Sequence, residues 1–282
     1  MIIYLNGQYI EEKEALLSPF DHGFLYGIGV FETFTSLAGQ VFLLDWHLER
    51  LNQSLRDLCI ESTIEKPFVL DIIQTLLHQN HLIDGHARIR FNVSAGRGNG
   101  FSADSYKEPV IFVMISPFHP KSILDEKQGV LLQTRRNTPE GERRLKSHHY
   151  MNNLLAKREV GNDPNIEGVF LTKEDDVAEG ITSNLFWRTG DVVYTPSLDT
   201  GILNGVTRRY CIETLRNQGI SVIVGRYPVS QLLSAEEVWM TNSVQGIIPF
   251  RKIEEVILPE NNRTISGKLR TQYTKERLEH KE

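Results

Sequence analysis

The sequence predicts an α+β protein of two domains. Three observations carry this expectation. Runs with the two-residue period of strands fall into hairpins, stretches with the 3.6-residue period of helices stand among them, and a proline-bounded polar stretch divides the chain before its middle. Length agrees, because 282 residues suit roughly two domains at about 150 residues each.

Met1-Ile2-Ile3-Tyr4-Leu5 is an apolar run that breaks at Asn6-Gly7. That dipeptide tolerates positive φ and closes two-residue hairpins, so Gln8-Tyr9-Ile10 is the expected return strand. Gly23, Gly27 and Gly29 then punctuate an aromatic-rich segment leading to a strand over 30–35, and Ala38-Gly39 turns the chain toward Val41-Phe42-Leu43-Leu44. The glycines imply close contacts along that approach. Asp45 is the expected N-cap of a helix in which Leu48, Leu51, Leu55 and Leu58 recur at steps of three and four. Pro67 suits the first turn of a second helix carrying Ile72, Ile73, Leu76 and Leu77. At 87–93 the period becomes two, with Ala87, Ile89, Phe91 and Val93 on one face and Arg88, Arg90 and Asn92 on the other. A buried strand over 110–115 follows. Pro117, Pro120 and the polar run 121–128 mark the boundary. The expected organisation is an N-terminal α/β domain over 1–118, a linker over 119–127 and a C-terminal domain over 128–282. In the second domain strands are expected over 129–134, 168–172 and 185–194 and at Val238-Trp239-Met240, with helices over 147–160, 206–217 and 264–279. No internal repeat or low-complexity tract interrupts this pattern.

Composition removes several function classes. Hydrophobic residues at 40% and charged residues at 24% allow a substantial core and exclude a disordered chain. A net charge of −5 argues against nucleic acid as the main partner, since a polyanion calls for a basic surface. Two cysteines, Cys59 and Cys211, each in an apolar helix-like stretch, form no disulfide framework and read as small hydrophobes in a reducing cytosol. The N-terminal run has no basic region before it and is too short to span a bilayer, so a soluble cytoplasmic protein is expected.

Three local features point to chemistry. Gly201-Ile202-Leu203-Asn204-Gly205 leads into a helix beginning Val206-Thr207-Arg208, whose first amides offer unpaired N–H groups at the positive end of the dipole, a place for a phosphate. The same residues equally make an ordinary loop-to-helix junction, and no Walker loop or Gly-x-Gly-x-x-Gly element accompanies them. Lys146, in Arg143-Arg144-Leu145-Lys146-Ser147-His148-His149-Tyr150, has cationic neighbours that favour a nucleophilic amine, or is part of a solvated basic turn. The adjacent histidines diverge on a helix, so no metal site is expected there. Glu179 precedes small polar residues and an apolar strand, where a carboxylate can hold a protonated ring nitrogen or simply face solvent.

Together these features resemble the fold-type IV pyridoxal-phosphate enzymes, the class IV aminotransferase family, which comprises branched-chain aminotransferases, D-amino acid aminotransferases and 4-amino-4-deoxychorismate lyases. The resemblance runs from Tyr4-Leu5-Asn6-Gly7 to Met240-Thr241-Asn242-Ser243-Val244-Gln245-Gly246-Ile247-Ile248-Pro249. Its motifs, in order, are His22 to Thr33, His47-Leu48-Glu49-Arg50-Leu51, Lys146 with its following helix, Glu179-Gly180 with Ser183-Asn184-Leu185-Phe186, and Gly205-Val206-Thr207-Arg208.

The resemblance implies a smaller N-terminal α/β domain and a larger C-terminal domain with a barrel-like core that carries the lysine. It also implies pyridoxal 5'-phosphate as cofactor and a homodimer. By position, Lys146 would carry the cofactor as a Schiff base and Glu179 would face the pyridine nitrogen. Arg50, Val206, Thr207, Asn242 and Ser243 would hold the phosphate. Phe31 stands where the D-amino acid enzymes usually carry tyrosine, and Thr33 where the branched-chain enzymes carry glycine. Both are similar to the lyases, as are Phe186-Trp187-Arg188 and Thr241-Asn242-Ser243. The implied activity is therefore cleavage of 4-amino-4-deoxychorismate to 4-aminobenzoate and pyruvate, with Thr33 assisting the leaving group. D-amino acid or branched-chain transamination is the alternative, and a protein keeping the fold without the chemistry is opposed by the intact Lys146, Glu179 and Arg50. Phe31, Arg90, Arg97 and His149 are the candidates for the substrate, the arginines for its two carboxylates. One departure is Ile28, where many members have aspartate.

Overall fold

The structure is a computed structural model that describes residues 1–98, 100, 104–119, 126–258 and 264–279. The chain forms two units, the first comprising Met1–Pro120, Leu145–His149 and Arg277–Glu282, the second Lys121–Arg144 and Tyr150–Glu276. The expected linker falls largely on 120–125, outside the described residues. Leu145–His149, with the lysine, belongs to the first unit rather than to the C-terminal one.

The first unit begins with the expected hairpin, β1 (Ile2–Leu5) and β2 (Gln8–Glu11), turned at Asn6 (φ 43°) and Gly7 (φ 89°). The short helix α1 (His22–Tyr26), which periodicity did not disclose, is started by Asp21, whose carboxylate accepts the Gly23 N–H at 2.6 Å. β3 (Gly29–Leu37) and β4 (Gln40–Val41) form the second hairpin. Two amphipathic helices follow, α2 (Leu44–Asp57) and α3 (Lys66–Gln79), with Pro67 in the first turn of α3 as expected. Asp45 is not the cap of α2. Leu43 holds that place in a left-handed conformation, and Asp45 lies inside the first turn, paired with Lys66 at 3.1 Å.

β5 (His86–Ser94) and β6 (Val110–Pro117) complete an antiparallel sheet ordered β2-β1-β6-β5-β3-β4. One sheet face, bearing Val30, Phe34, Ile89, Phe91, Val93, Val113 and Ile115, packs on Leu48, Leu51 and Leu55 of α2 and Ile72, Ile73 and Leu76 of α3. The period-two strand thus sets which residues stay on the other face, and these include Phe31, Thr33, Arg88 and Arg90. Cys59 follows α2 at φ 53° and is exposed, not buried as expected, whereas Cys211 is buried.

The second unit contains β7 (Lys127–Leu131), α4 (Met151–Val160), β8 (Ile166–Leu171), β9 (Val177–Gly180), β10 (Asn184–Thr189), β11 (Val192–Pro196), α5 (Val206–Asn217), β12 (Ser221–Gly225), α6 (Val229–Leu233), β13 (Glu237–Asn242), β14 (Gly246–Ile253), β15 (Val256–Ile257) and α7 (Ile265–Glu279). The strand expected over 185–194 is two strands, because Gly190 (φ 58°) reverses the chain between β10 and β11. The sheet runs β12-β11-β10-β13-β14-β7-β8-β9, with β15 on β14. It mixes antiparallel pairs with the parallel pairs β11–β12, β14–β7 and β7–β8. It curls as a half-barrel: β9 comes back against β10 and β11, around Val169, Leu171, Leu185, Trp187, Met240, Ile248 and Phe250. The α+β expectation holds. Among the described residues no helix is long and apolar enough to cross a membrane.

Candidate active site

A helix was expected over 147–160, but it begins only at Met151. Residues 146–148 are instead held along the free edge of β3 by backbone pairing. The Phe31 N–H donates to the Lys146 carbonyl at 2.8 Å, the His148 N–H donates to the Gly29 carbonyl at 3.0 Å, and Val30 bridges Ser147. Val30 points to the helices, so the register sends Lys146 and His148 to the opposite face with Phe31.

There the Lys146 Nζ lies 4.6 Å from the centroid of the buried Phe31 ring, and the Arg90 Cζ lies 3.6 Å from it. Cations over an aromatic face are stabilised by its quadrupole by about 0.5 to 2 kcal/mol each. Arg90 is further fixed by its Nε, which donates to the Asn92 Oδ1 at 3.0 Å, and Thr33 is its cross-strand partner. Lys146, Phe31, Thr33 and Arg90 therefore share one face.

His148 stacks on Phe31 at 6.3 Å. Its approach requires Gly29, since a Cβ there would stand 2.5 Å from the imidazole; Gly27 makes the same allowance for His149, whose Nε2 lies 3.0 Å from the Tyr26 carbonyl. The close contacts expected of the glycine motif are in good part space for two histidines, with Gly27 also at φ 72°. Burial pushes the His148 imidazole down to about 4, helped by the Arg90 charge and opposed by Asp21, so it is neutral at physiological pH. Arg97 lies apart from the Arg90 cluster in its contacts: it is exposed, bridged through its backbone to Asp21, with its guanidinium over Phe20.

On the helix side of β3, Glu32 is buried between two residues of α2. The Arg50 Nε and Nη2 donate to its two oxygens at 2.7 and 2.6 Å, and the His47 Nδ1 donates to Oε2 at 2.7 Å. Burial alone would raise the Glu32 carboxyl, but Arg50 and His47 outweigh it and bring it down to about 2. Burial pushes His47 down, with Arg50 and Lys146 adding to that and Glu32 opposing. We therefore read the His47–Glu32 contact as a neutral imidazole donating to a carboxylate. Glu32 and His47 were not singled out from the sequence, although the alternation along β3 placed Glu32 on the core face, where a carboxylate needs partners.

In the second unit Glu179 is a buried residue of β9, not a solvent-facing loop acid. The Arg136 Nε donates to Oε1 at 2.8 Å, and the Leu203 N–H and Asn184 Nδ2 donate to Oε2 at 3.0 and 3.4 Å. The Arg144 Nε lies 3.9 Å from Oε1. Arg136 went unnoticed in the sequence because nothing in its spacing ties it to a residue 43 positions away.

α5 starts at Val206 after Gly205, which has no side chain to cap its first turn. The Thr207 hydroxyl, on that turn, is 3.5 Å from the Ser243 hydroxyl in the loop after β13. Asn242 instead builds that loop, its Oδ1 accepting the N–H groups of Val244 and Gln245 at 3.1 and 2.7 Å. This donor set, helix amides with two hydroxyls, suits a phosphate. A buried carboxylate suits a protonated ring nitrogen, and a lysine amine suits an aldehyde. The residues present thus fit pyridoxal phosphate.

Residues 29–253 match the model of the family "Amino-transferase class IV". An aminodeoxychorismate lyase of Bacillus subtilis (strain 168) is 55% identical over 98% of this chain and 94% of its own. A Methanocaldococcus jannaschii protein carrying a branched-chain-amino-acid aminotransferase name is 33% identical over 94% of this chain and 91% of its own. The crystal structure of 4-amino-4-deoxychorismate lyase from Pseudomonas aeruginosa superposes with a TM-score of 0.85 at 26% identity, covering 98% of this chain and 99% of that one. The chain belongs to the class IV aminotransferase family.

Proposed function

We propose that this protein is a pyridoxal-phosphate-dependent lyase that converts 4-amino-4-deoxychorismate to 4-aminobenzoate and pyruvate. The observation that carries the reading is the 55% identity to a lyase over nearly the whole chain, against 33% to the relative with an aminotransferase name. Pyridoxal phosphate, the cofactor of this family, supplies when bound an aldehyde carbon for the substrate amine and a ring that accepts electrons from the carbon bearing it.

The remaining work falls to side chains. Lys146 would hold the cofactor through its Nζ, and the same amine takes up the proton that leaves C4 of the substrate. The C3–O bond then breaks, and the Thr33 hydroxyl assists proton delivery to the departing enolpyruvyl oxygen, which leaves as pyruvate. Aromatisation of the six-membered ring makes this step strongly downhill. Glu179 holds the proton on the ring nitrogen. Arg50, the Val206 and Thr207 amides, the Thr207 hydroxyl and Ser243 hold the phosphate, with Asn242 shaping the loop that carries Ser243. Arg90, stacked on Phe31 beside Lys146, receives one substrate carboxylate; Arg97 and His149 are the further candidates for the other.

A homodimer in the cytoplasm completes the reading. Leu16, Leu17, Phe20, Phe24, Leu25 and Tyr26 all lie exposed within one short segment, a density of apolar surface that monomers rarely leave uncovered.

The deciding experiment follows 4-aminobenzoate and pyruvate together from enzymatically generated 4-amino-4-deoxychorismate. Equal release of both, abolished together with the visible absorbance in Lys146→Ala, is expected. Failure to turn over this substrate alongside rapid amine transfer from D-amino or branched-chain acids to 2-oxoglutarate would refute the lyase reading.

A further inference from the structure

We infer that Arg136 is the positioning residue of the Glu179 carboxylate: it supplies the cation that pairs with that group and fixes it for the cofactor's ring nitrogen. The inference rests on the assignment of Glu179 proposed above.

Arg136 is itself buried and is held from four directions. Its N–H donates to the Leu171 carbonyl at 2.8 Å, its Nε to Glu179 at 2.8 Å, and its Nη1 to the Asn152 Oδ1 at 2.7 Å, while the Phe170 ring lies 5.1 Å from its Cζ. A side chain tethered at both ends of its guanidinium fixes the carboxylate it meets. The other cations whose charge reaches Glu179 are Arg144 and Arg208. Each is engaged elsewhere: Arg144 donates to the carbonyls of Gly201 and Asn137, and Arg208 to that of Pro196 at 2.9 Å. The remaining groups on the carboxylate, Asn184 and the Leu203 N–H, are neutral. Arg136 is thus the one cation within hydrogen-bonding distance of Glu179 among the described residues. A buried carboxyl deprived of its cation tends to take up a proton. It would then present a donor where the ring nitrogen needs an acceptor.

The test titrates apoprotein with pyridoxal phosphate across a range of pH, reading the dissociation constant and the visible band. Arg136→Gln should weaken binding about tenfold or more, the loss of one charge-assisted hydrogen bond. The loss should be greatest at acidic pH and shrink as pH rises. Arg136→Lys, which restores the charge, should recover part of it. Asn152→Ala, which leaves the guanidinium but reduces the anchoring of its Nη1 to the longer contact with the Asn153 Oδ1 at 3.4 Å, should give a smaller loss in the same direction, and these two variants carry the test if Arg136→Gln does not fold. Glu179→Gln is the control. If it alters the band and Arg136→Gln does not, the inference is overturned and the assignment of Glu179 stands. If Glu179→Gln leaves both band and affinity unchanged, the assignment falls. An affinity loss equal at every pH with an unmoved band marks mere structural damage and also overturns the inference.

Discussion

Replacing Glu32 by glutamine leaves shape and removes charge where two α2 residues converge on a 1%-exposed carboxylate. Breaking one side of a buried ion pair costs about 3 to 5 kcal/mol. Glutamine keeps one acceptor and the Arg50 side chain is 15% exposed, which brings the cost to about 2 to 3 kcal/mol. Linkage leads to a similar figure, because a carboxyl brought from 4.5 to about 2 on folding contributes about 3 kcal/mol at neutral pH. For units of this size the melting temperature should fall by roughly 5 to 10 °C. The sign with pH follows from the lowered folded value. The stabilisation is complete above the unfolded value near 4.5 and is lost as pH falls through about 2, so wild type and variant should converge on acidification. Thermal unfolding by circular dichroism at several pH values measures this. A difference in melting temperature below about 2 °C at neutral pH, or one that stays constant on acidification, would refute the reasoning.

Other outcomes follow from the same geometry. Gly29→Ala should destabilise by about 1 to 3 kcal/mol, since its Cβ would meet the His148 imidazole at 2.5 Å and the Val93 carbonyl at 3.0 Å; adding His148→Ala should restore part of the loss in chemical denaturation. His148, brought to about 4 by burial, should stay neutral across the physiological range and titrate only near that value by NMR; a midpoint near 6.5 would mean the ring is solvated. Phe24→Asp, at a residue 77% exposed, tests the proposed homodimer: it should leave the chain folded but shift the mass measured by light scattering toward that of a single chain. An unchanged dimer would place the interface elsewhere.

Much of the fold was legible because it rests on periodicity. The two-residue alternation at 87–93 became β5 with its apolar residues fully buried, and α5 runs from Val206 to Asn217 as expected. The Asn6-Gly7 turn and Pro67 in the first turn of α3 were equally local, decided by backbone preferences of a few residues. Local signals failed where a distant partner competed. Asp45 had the chemistry of a cap, yet the left-handed Leu43, in the turn after β4, took that place. Residues 147 and 148 were expected to be helical, yet β3 offered the backbone of 146–148 partners, which held this stretch along the strand and carried Lys146 to the face of Phe31 and Arg90.

By itself the sequence determined the alternation that divides each strand into two faces, the helices that cover one of them, and the residues proposed for the chemistry, Lys146, Glu179 and Arg50. Only the tertiary structure decided what surrounds those residues. Arg50 and His47 on Glu32, Arg136 on Glu179 and His148 against Gly29 are contacts between residues well separated in the chain. No spacing rule encodes such contacts. They arise because a charge or a polar ring withdrawn from water must find its partner wherever packing brings one within about 3 Å.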